Sequence, residues 1–279
     1  MPELPEVETV RTGLEKALTN RRIERVELRR NGLRSPFQPD LSTRLTGVRI
    51  LVVRRRAKYL LTDLDSADVW LAHLGMSGSF RVIAKGKPFE PETHDHVVLT
   101  LDNGVRLIYN DPRRFGQMEI FAKGAEAEWP ALSKIGPEPL DDTFDGPMLA
   151  LRLKNKNTPI KVALLDQQVV AGIGNIYACE ALYIAGIDPR KAARTIKGEK
   201  ADRLAAAIKQ VLRTALASGG STLRDHRQLD GTTGYFQHAF AVYDHAQEPC
   251  AQCTCGGKAT VRSVTQAGRT TFFCPVKQR

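Results

Sequence analysis

The sequence predicts an α+β protein of about two domains, β-rich first and helical afterwards. Three observations lead there. Short apolar runs separated by turn residues fill residues 20 to about 125. From about residue 135 the apolar residues recur at helical spacing, with Pro137 and Pro139 marking the change. The tail from about residue 240 then carries four of the five cysteines, Cys250, Cys253, Cys255 and Cys274.

Taken in order, residues 5–18 read as a helix, because Val7, Val10, Leu14 and Leu18 share one face. Strands are predicted at Val48–Val53, Tyr59–Leu61, Val69–Leu71, Val97–Leu101 and Val105–Tyr109. Asp102-Asn103-Gly104 joins the last two as a hairpin turn. Many short strands with turns between them imply a sandwich or a barrel. A linker is expected near residues 130–140. Ile160–Asp166 reads as a short helix, Val169–Gly174 as a tight turn and Asn175–Ala185 as a second helix closed by Gly186 and Pro189. Leu204, Ile208, Val211, Leu212 and Ala215 mark a further amphipathic helix ending at Gly219-Gly220. Residues 219–234, rich in Gly, Ser, Thr and Asp, read as a mobile loop.

Composition narrows the class. The 279 residues are 42% apolar and 26% charged, which is globular and not disordered. Lysine and arginine exceed the acids by 41 − 31 = +10, and the pI is about 9.5. Such a surplus favours a polyanionic partner. No apolar run approaches the roughly 20 residues of a membrane span, and no signal peptide is visible. Cytoplasmic, nucleoid-associated residence follows as the expectation. Clustered cysteines in a reducing compartment suggest metal more than disulfides.

Several motifs carry chemistry, each beside a plainer reading. Met1-Pro2-Glu3-Leu4-Pro5-Glu6 would expose a secondary amine at Pro2 if Met1 were removed. An α-amine has a pKa of about 7.7–8.0, so a fair fraction is unprotonated near neutrality, far more than for a lysine, and able to attack a sugar carbon. Glu3 and Glu6 are placed to move protons. The plainer reading is that Pro and Glu simply begin a helix. Gly172-Ile173-Gly174-Asn175 before a helix suits phosphate binding or a tight helical corner. Asp111-Pro112-Arg113-Arg114-Phe115-Gly116 suits base reading and wedging, or an exposed turn. His73-Leu74-Gly75-Met76-Ser77-Gly78 puts Met76 at a tip, where it is either wedge or core.

Arg54, Arg55, Arg56 and Lys58 are four cations in five positions, expected to reach water or phosphate, with Lys58 alternatively a proton carrier near the N-terminal amine. His94-Asp95-His96 resembles a metal pair, but without a third ligand nearby phosphate binding or structural hydrogen bonding is favoured. Cys250-x₂-Cys253 followed by Cys274-Pro275 is half of a zinc ribbon. A second pair would need cysteine at position 277, where this chain has Lys277.

Together these segments, with Arg55–Leu60 and Gln266–Pro275, resemble the bacterial formamidopyrimidine-DNA glycosylase family (Fpg/MutM, within the Fpg/Nei group). The matches are in order and span nearly the whole chain. The sister endonuclease VIII family typically begins Pro-Glu-Gly-Pro-Glu, so Leu4 favours the oxidised-purine branch. The resemblance implies an N-terminal β-sandwich with an N-terminal helix over residues 1–130. It implies a helix–two-turn–helix domain with a lesion lid over 135–235, and a C-terminal zinc-ribbon-like β-hairpin over 240–279.

It implies a bifunctional DNA glycosylase and abasic-site lyase of base excision repair, acting as a monomer on double-stranded DNA that holds oxidised purines or abasic sites. Neither a membrane nor a nucleotide cofactor is implied. Residue by residue, Pro2 would be the nucleophile, Glu3 the proton donor that opens the sugar ring, Lys58 the proton donor in β-elimination and Arg269 the δ-elimination and phosphate residue. His94, Arg113, Lys156 and Asn175 would contact DNA. Met76, Arg113 and Phe115 would fill the gap left by the extruded base.

One zinc ion is implied on Cys250, Cys253 and Cys274. Three alternatives stand for the fourth position: Cys255, a water or other group, or no zinc at all. Cys179 reads as a buried helical residue. The competing functions are a catalytically impaired damaged-DNA-binding protein of the same fold and an endonuclease VIII-like enzyme for oxidised pyrimidines.

Overall fold

A computed structural model describes residues 1–220, 239–250, 253 and 259–279. The chain forms two compact units, one built on Met1–Ser133 and the other on Lys134–Ser218 with the C-terminal segment.

The first unit opens with helix α1 (Leu4–Leu18), whose buried face is Leu4, Val7, Val10, Leu14 and Leu18. Two four-stranded antiparallel sheets follow. One has the order β1 (Ile23–Leu28), β6 (Asp95–Leu101), β7 (Arg106–Asn110), β5 (Ser79–Ile83). The other has the order β2 (Ile50–Arg56), β3 (Tyr59–Leu64), β4 (Asp68–His73), β8 (Gln117–Ala122). A short helix α2 (Leu41–Leu45) also lies in this unit. The sheets share a core with α1: Ile50, Val53, Leu60, Trp70 and Ile120 from one meet Val97, Leu99, Leu107 and Tyr109 from the other. Trp70 and Phe80 cross between sheets edge to face, 6.3 Å apart. This is the predicted sandwich. The Asp102–Gly104 turn joins β6 to β7 as expected, with Gly104 at φ +77°.

Strand β2 starts two residues later than the apolar run suggested and continues through the cations to Arg56. The expectation that most of the run reaches water or phosphate meets carboxylate partners at two of its four cations. Arg54 bridges Asp63 and Glu126, each at 2.7 Å, and Arg55 meets Glu8 at 2.9 Å. Carboxylates distant in sequence offset the Arg54 and Arg55 charges, which a local reading of the run does not reveal.

The second unit holds α3 (Gly146–Leu153), α4 (Ile160–Leu165), a 3₁₀ turn at Ala193–Thr195, α5 (Asn175–Ala185) and α6 (Glu199–Ala217). Helix α3 was not predicted. It starts at the Asp145 cap, whose carboxylate accepts from the Met148 amide at 2.8 Å. Helix α5 ends at Gly186 in the left-handed conformation, φ +68°.

The C-terminal segment adds the hairpin β9 (Arg262–Gln266) and β10 (Arg269–Phe273). Its Cys250, Val261, Phe272 and Cys274 share a core with Cys179 and Tyr183 of α5. Glu180 anchors the approach to this segment, accepting from the amides of Ala241, Val242 and Tyr243 at 2.8–3.0 Å. Most of the expected mobile loop lies outside the described residues. Of its residues, Gly219 and Gly220 group with the first unit and not with the helical one.

Candidate active site and nucleic-acid interface

In the first unit Pro2 and Glu3 are buried where α1 begins, while Met1 is 44% exposed. Glu3 caps the helix and Glu6 closes a reciprocal capping box, its carboxylate accepting from the Glu3 amide at 2.9 Å. The plainer reading of this hexapeptide as a helix start is therefore correct as local structure. The capping box also fixes the Glu3 backbone at the helix start, directly after Pro2.

Lys58 sits on the two-residue turn between β2 and β3, after Ala57 in the left-handed region at φ +52°. It is only 6% exposed. The hairpin is clamped to α1 twice: Arg55 to Glu8, and Arg11 to the Val53 carbonyl at 3.2 Å. The two contacts run in opposite chain senses, Glu8 and Arg11 of the helix meeting Arg55 and then Val53 of the strand. The helix start bearing Pro2 and Glu3 and the hairpin tip bearing Lys58 therefore lie toward one end.

His73 faces the same tip. It pairs with Tyr59 across the strands, its ring 4.7 Å from the tyrosine ring. Burial, with the positive charges of Lys58 and Arg34, pushes its pKa down to about 4. Its unprotonated Nδ1 accepts from the Gly75 amide at 3.0 Å, which shapes the loop carrying Met76.

That loop and the Asp111–Gly116 turn are held by one fully buried carboxylate. Asp111 accepts from Ser77 Oγ at 2.6 Å, from the Gly116 amide at 2.8 Å and from Tyr109 at 3.4 Å. Ser77 Oγ in turn accepts from the Arg113 amide at 3.1 Å. The packing admits no side chain at the glycines: a Cβ on Gly75 would stand 2.4 Å from the Phe115 backbone, and one on Gly116 would stand 1.8 Å from the Tyr109 hydroxyl oxygen. On this scaffold Met76 and Phe115 protrude, 37% and 44% exposed, and the Arg113 guanidinium lies 5.0 Å over the Phe115 ring. Of the two readings for Met76, wedge or core, the exposed position excludes core. Asp111 and His73 lie inside quoted motifs, yet their organising roles were missed. The Asp-Pro turn start was the available signal for the first.

His94 is exposed at the start of β6. Its neighbours are structural. Asp95 binds Arg81 at 2.8 Å and Asn110 at 2.8 Å, and His96 Nε2 donates to the Asp111 carbonyl at 2.9 Å. Burial, opposed by that hydrogen bond, pushes the His96 pKa down. The hydrogen-bonding reading of His94-Asp95-His96 thus holds for Asp95 and His96.

In the second unit Asn175 opens α5 and donates from Nδ2 to the Thr270 carbonyl at 2.9 Å. That bond ties the helix start to β10, whose first residue is Arg269. The Gln167 side chain shapes the preceding turn, accepting from the Gly172 amide and donating to the Ile173 carbonyl, each at 2.9 Å. Arg269 is exposed beside the tight turn of the β9–β10 hairpin. Lys156 is half-buried and paired with Asp166 at 2.8 Å. Burial alone would raise the Asp166 pKa, but Lys156 and the Gln168 amide hold it below the usual range.

Cys250, Cys253 and Cys274 bring their sulfurs within 4.8 Å of one another, the only such metal-binding group among the described residues. Cys253 and Cys274 sulfurs are 3.8 Å apart. Cys179 is buried in α5 and outside this cluster. Cys255 lies outside the described residues. Lys277 places its ammonium 3.9 Å from the centre of the Tyr183 ring.

Residues 1–118 match the formamidopyrimidine-DNA glycosylase N-terminal domain and residues 135–227 the formamidopyrimidine-DNA glycosylase H2TH domain. The chain belongs to the formamidopyrimidine-DNA glycosylase family. It is 51% identical to the formamidopyrimidine-DNA glycosylase of Rhodopseudomonas palustris (strain BisA53), covering all of both chains. It is 51% identical to that of Beijerinckia indica, again end to end. Among solved structures, the MutM (Fpg) protein of Thermus thermophilus superposes with a TM-score of 0.87 at 41% identity, covering 99% of this chain and 98% of that one. Lactococcus lactis Fpg in complex with DNA containing an abasic site gives 0.88 at 34% identity, covering 99% of each. No helix among the described residues is long and apolar enough to cross a membrane.

Proposed function

We propose that this chain is a bifunctional base-excision-repair enzyme that removes oxidised purines, 8-oxoguanine and formamidopyrimidines, and then cleaves the strand at the abasic sugar. The observation that carries the reading is the clamped pair of α1 and the β2–β3 hairpin, which holds Pro2, Glu3 and Lys58 toward one end.

Removal of Met1 gives Pro2 a secondary amine. The amine attacks C1′ of the damaged nucleotide, the C1′–N bond breaks, and the base leaves with the electron pair and takes up a proton. Glu3 protonates the sugar-ring oxygen as the ring opens. The resulting iminium is an electron sink and makes the C2′ hydrogens acidic. Loss of one expels the 3′ phosphate in β-elimination, with Lys58 supplying a proton. A second elimination releases the 5′ phosphate, where Arg269 stabilises charge.

A base inside a duplex is out of reach, so it must be extruded. Met76, Arg113 and Phe115 fill the vacated space, Arg113 also probing the opposite base. His94, Lys156 and Asn175 contact the DNA backbone. The three-thiol cluster fits zinc, which takes thiolate ligands in tetrahedral sites. One ion on Cys250, Cys253 and Cys274 would cross-link the segment that presents Arg269. A net charge of +10 supports residence on the chromosome.

Incubation with an 8-oxoguanine·cytosine duplex and borohydride tests the reading. A covalent adduct mapped to Pro2 by mass spectrometry is expected. Duplex binding without an adduct would mean a non-catalytic binder, and trapping on thymine glycol alone would mean the oxidised-pyrimidine branch.

A further inference from the structure

The C-terminal turn is pinned against the end of α5. The Gln278 side chain donates to the Ile187 carbonyl at 3.0 Å and accepts from the Cys274 amide at 2.8 Å. The Arg279 amide donates to the Gly186 carbonyl at 3.3 Å. Lys277 lies between Cys274 and these anchors, partly buried, with its backbone carbonyl against Gly186. Its ammonium therefore stands on the Tyr183 ring by construction of the turn and not as a loose surface charge. At the edge of the same ring, the Tyr183 hydroxyl is 3.5 Å from the Cys250 sulfur. A contact chain thus leads from Lys277 through Tyr183 to a cysteine of the cluster.

We infer that Lys277 serves the cysteine cluster as a fixed positive charge acting through Tyr183, and not as a ligand to the metal. This rests on the reading that the cysteines hold a metal ion. A divalent ion with three thiolates carries a net charge of −1, and with four −2, so a neighbouring cation lowers the cost of gathering the sulfurs. A cation on the ring face also draws density from the phenol, which makes its hydroxyl a better donor to a thiolate. Such outer hydrogen bonds tune metal affinity by about 10–100-fold. An ammonium engaged with a ring has no lone pair to coordinate a metal.

The test uses the full-length reduced protein, stripped of metal and titrated with cobalt(II), whose thiolate charge-transfer and ligand-field bands report the donor set. Wild type should take up one ion per chain. Lys277→Met should leave the band positions and intensities unchanged while weakening binding, against a competing chelator, by about tenfold. Lys277→Arg should restore affinity to within about twofold, because a guanidinium also stacks on the ring. Tyr183→Phe should weaken binding as Lys277→Met does, and the double variant should add little. Altered bands in Lys277→Met would make Lys277 a ligand and overturn the inference. So would unchanged affinity in both single variants. Failure of wild type to bind cobalt would instead overturn the metal-site reading itself. If Lys277→Met does not fold, the Tyr183→Phe and Lys277→Arg pair decides alone.

Discussion

His73 and Asp111 show how single groups shape the loops that carry the candidate site residues. His73 is neutral in the fold, its pKa lowered to about 4 from 6.5. Below pH 6.5 the unfolded chain takes up a proton that the folded chain refuses, so stability falls as pH drops from 6.5 toward 4. At pH 5 the loss is at most about 2 kcal/mol, less for the ring's partial exposure. In His73→Asn the difference in unfolding free energy between pH 7 and pH 5 should shrink by up to that amount. An unchanged difference would mean the ring titrates normally. Asp111→Ala strips the acceptor from a buried hydroxyl, the Gly116 amide and Ser77 at once. The expected cost is about 3 kcal/mol in denaturant unfolding, and preference for the base opposite the lesion should weaken with it. The roles at this scale were only half legible. Pro2, Met76 and Phe115 stand out as candidates because their motifs are local, whereas the bonds that position them are not. The Ser77–Asp111 bond joins residues 34 apart, the Arg55–Glu8 clamp residues 47 apart, and Tyr183–Cys250 residues 67 apart. Such partners follow only from strand order and helix packing.

Among elements, helix α5 could be read to the residue, from an Asn after Gly at one end to Gly186 at the other. The β9–β10 hairpin could not, since it turns on Ala267-Gly268 with no asparagine or aspartate to mark it. Ala267 is forced to φ +45°, where an ordinary side chain is strained. Ala267→Asn should relieve that strain and stabilise the protein by about 0.5–1 kcal/mol, seen as a higher midpoint of thermal unfolding. A lower midpoint would mean the turn does not need an αL residue. Asn175→Ala removes the bond from α5 to Thr270, which neighbours Arg269. It should depress δ-elimination more than base excision, resolved by separating the two cleavage products on a gel.

For the whole molecule, the surplus of +10 charges predicts strongly salt-dependent DNA binding. The logarithm of affinity should fall linearly with the logarithm of salt concentration. Arg269→Ala should reduce that slope by about 1 if the side chain meets one phosphate. Equal slopes for variant and wild type would remove Arg269 from the interface. Sequence composition already implied this behaviour, but not that Arg54 and Arg55 are spent on Asp63, Glu126 and Glu8. Those cations will not contribute to the slope.

The buried Asp111 hub has a consequence for inheritance. Met76, Arg113 and Phe115 extend from a framework whose bonds are made by Ser77, Asp111, Tyr109 and backbone amides, and, beyond one Arg113 amide, none of these bonds is made by the three side chains themselves. On the proposed reading that these tips inspect base pairs, mutations there can accumulate and be sorted by selection while the lineage keeps its foldable scaffold. Changes at the hub have no such latitude.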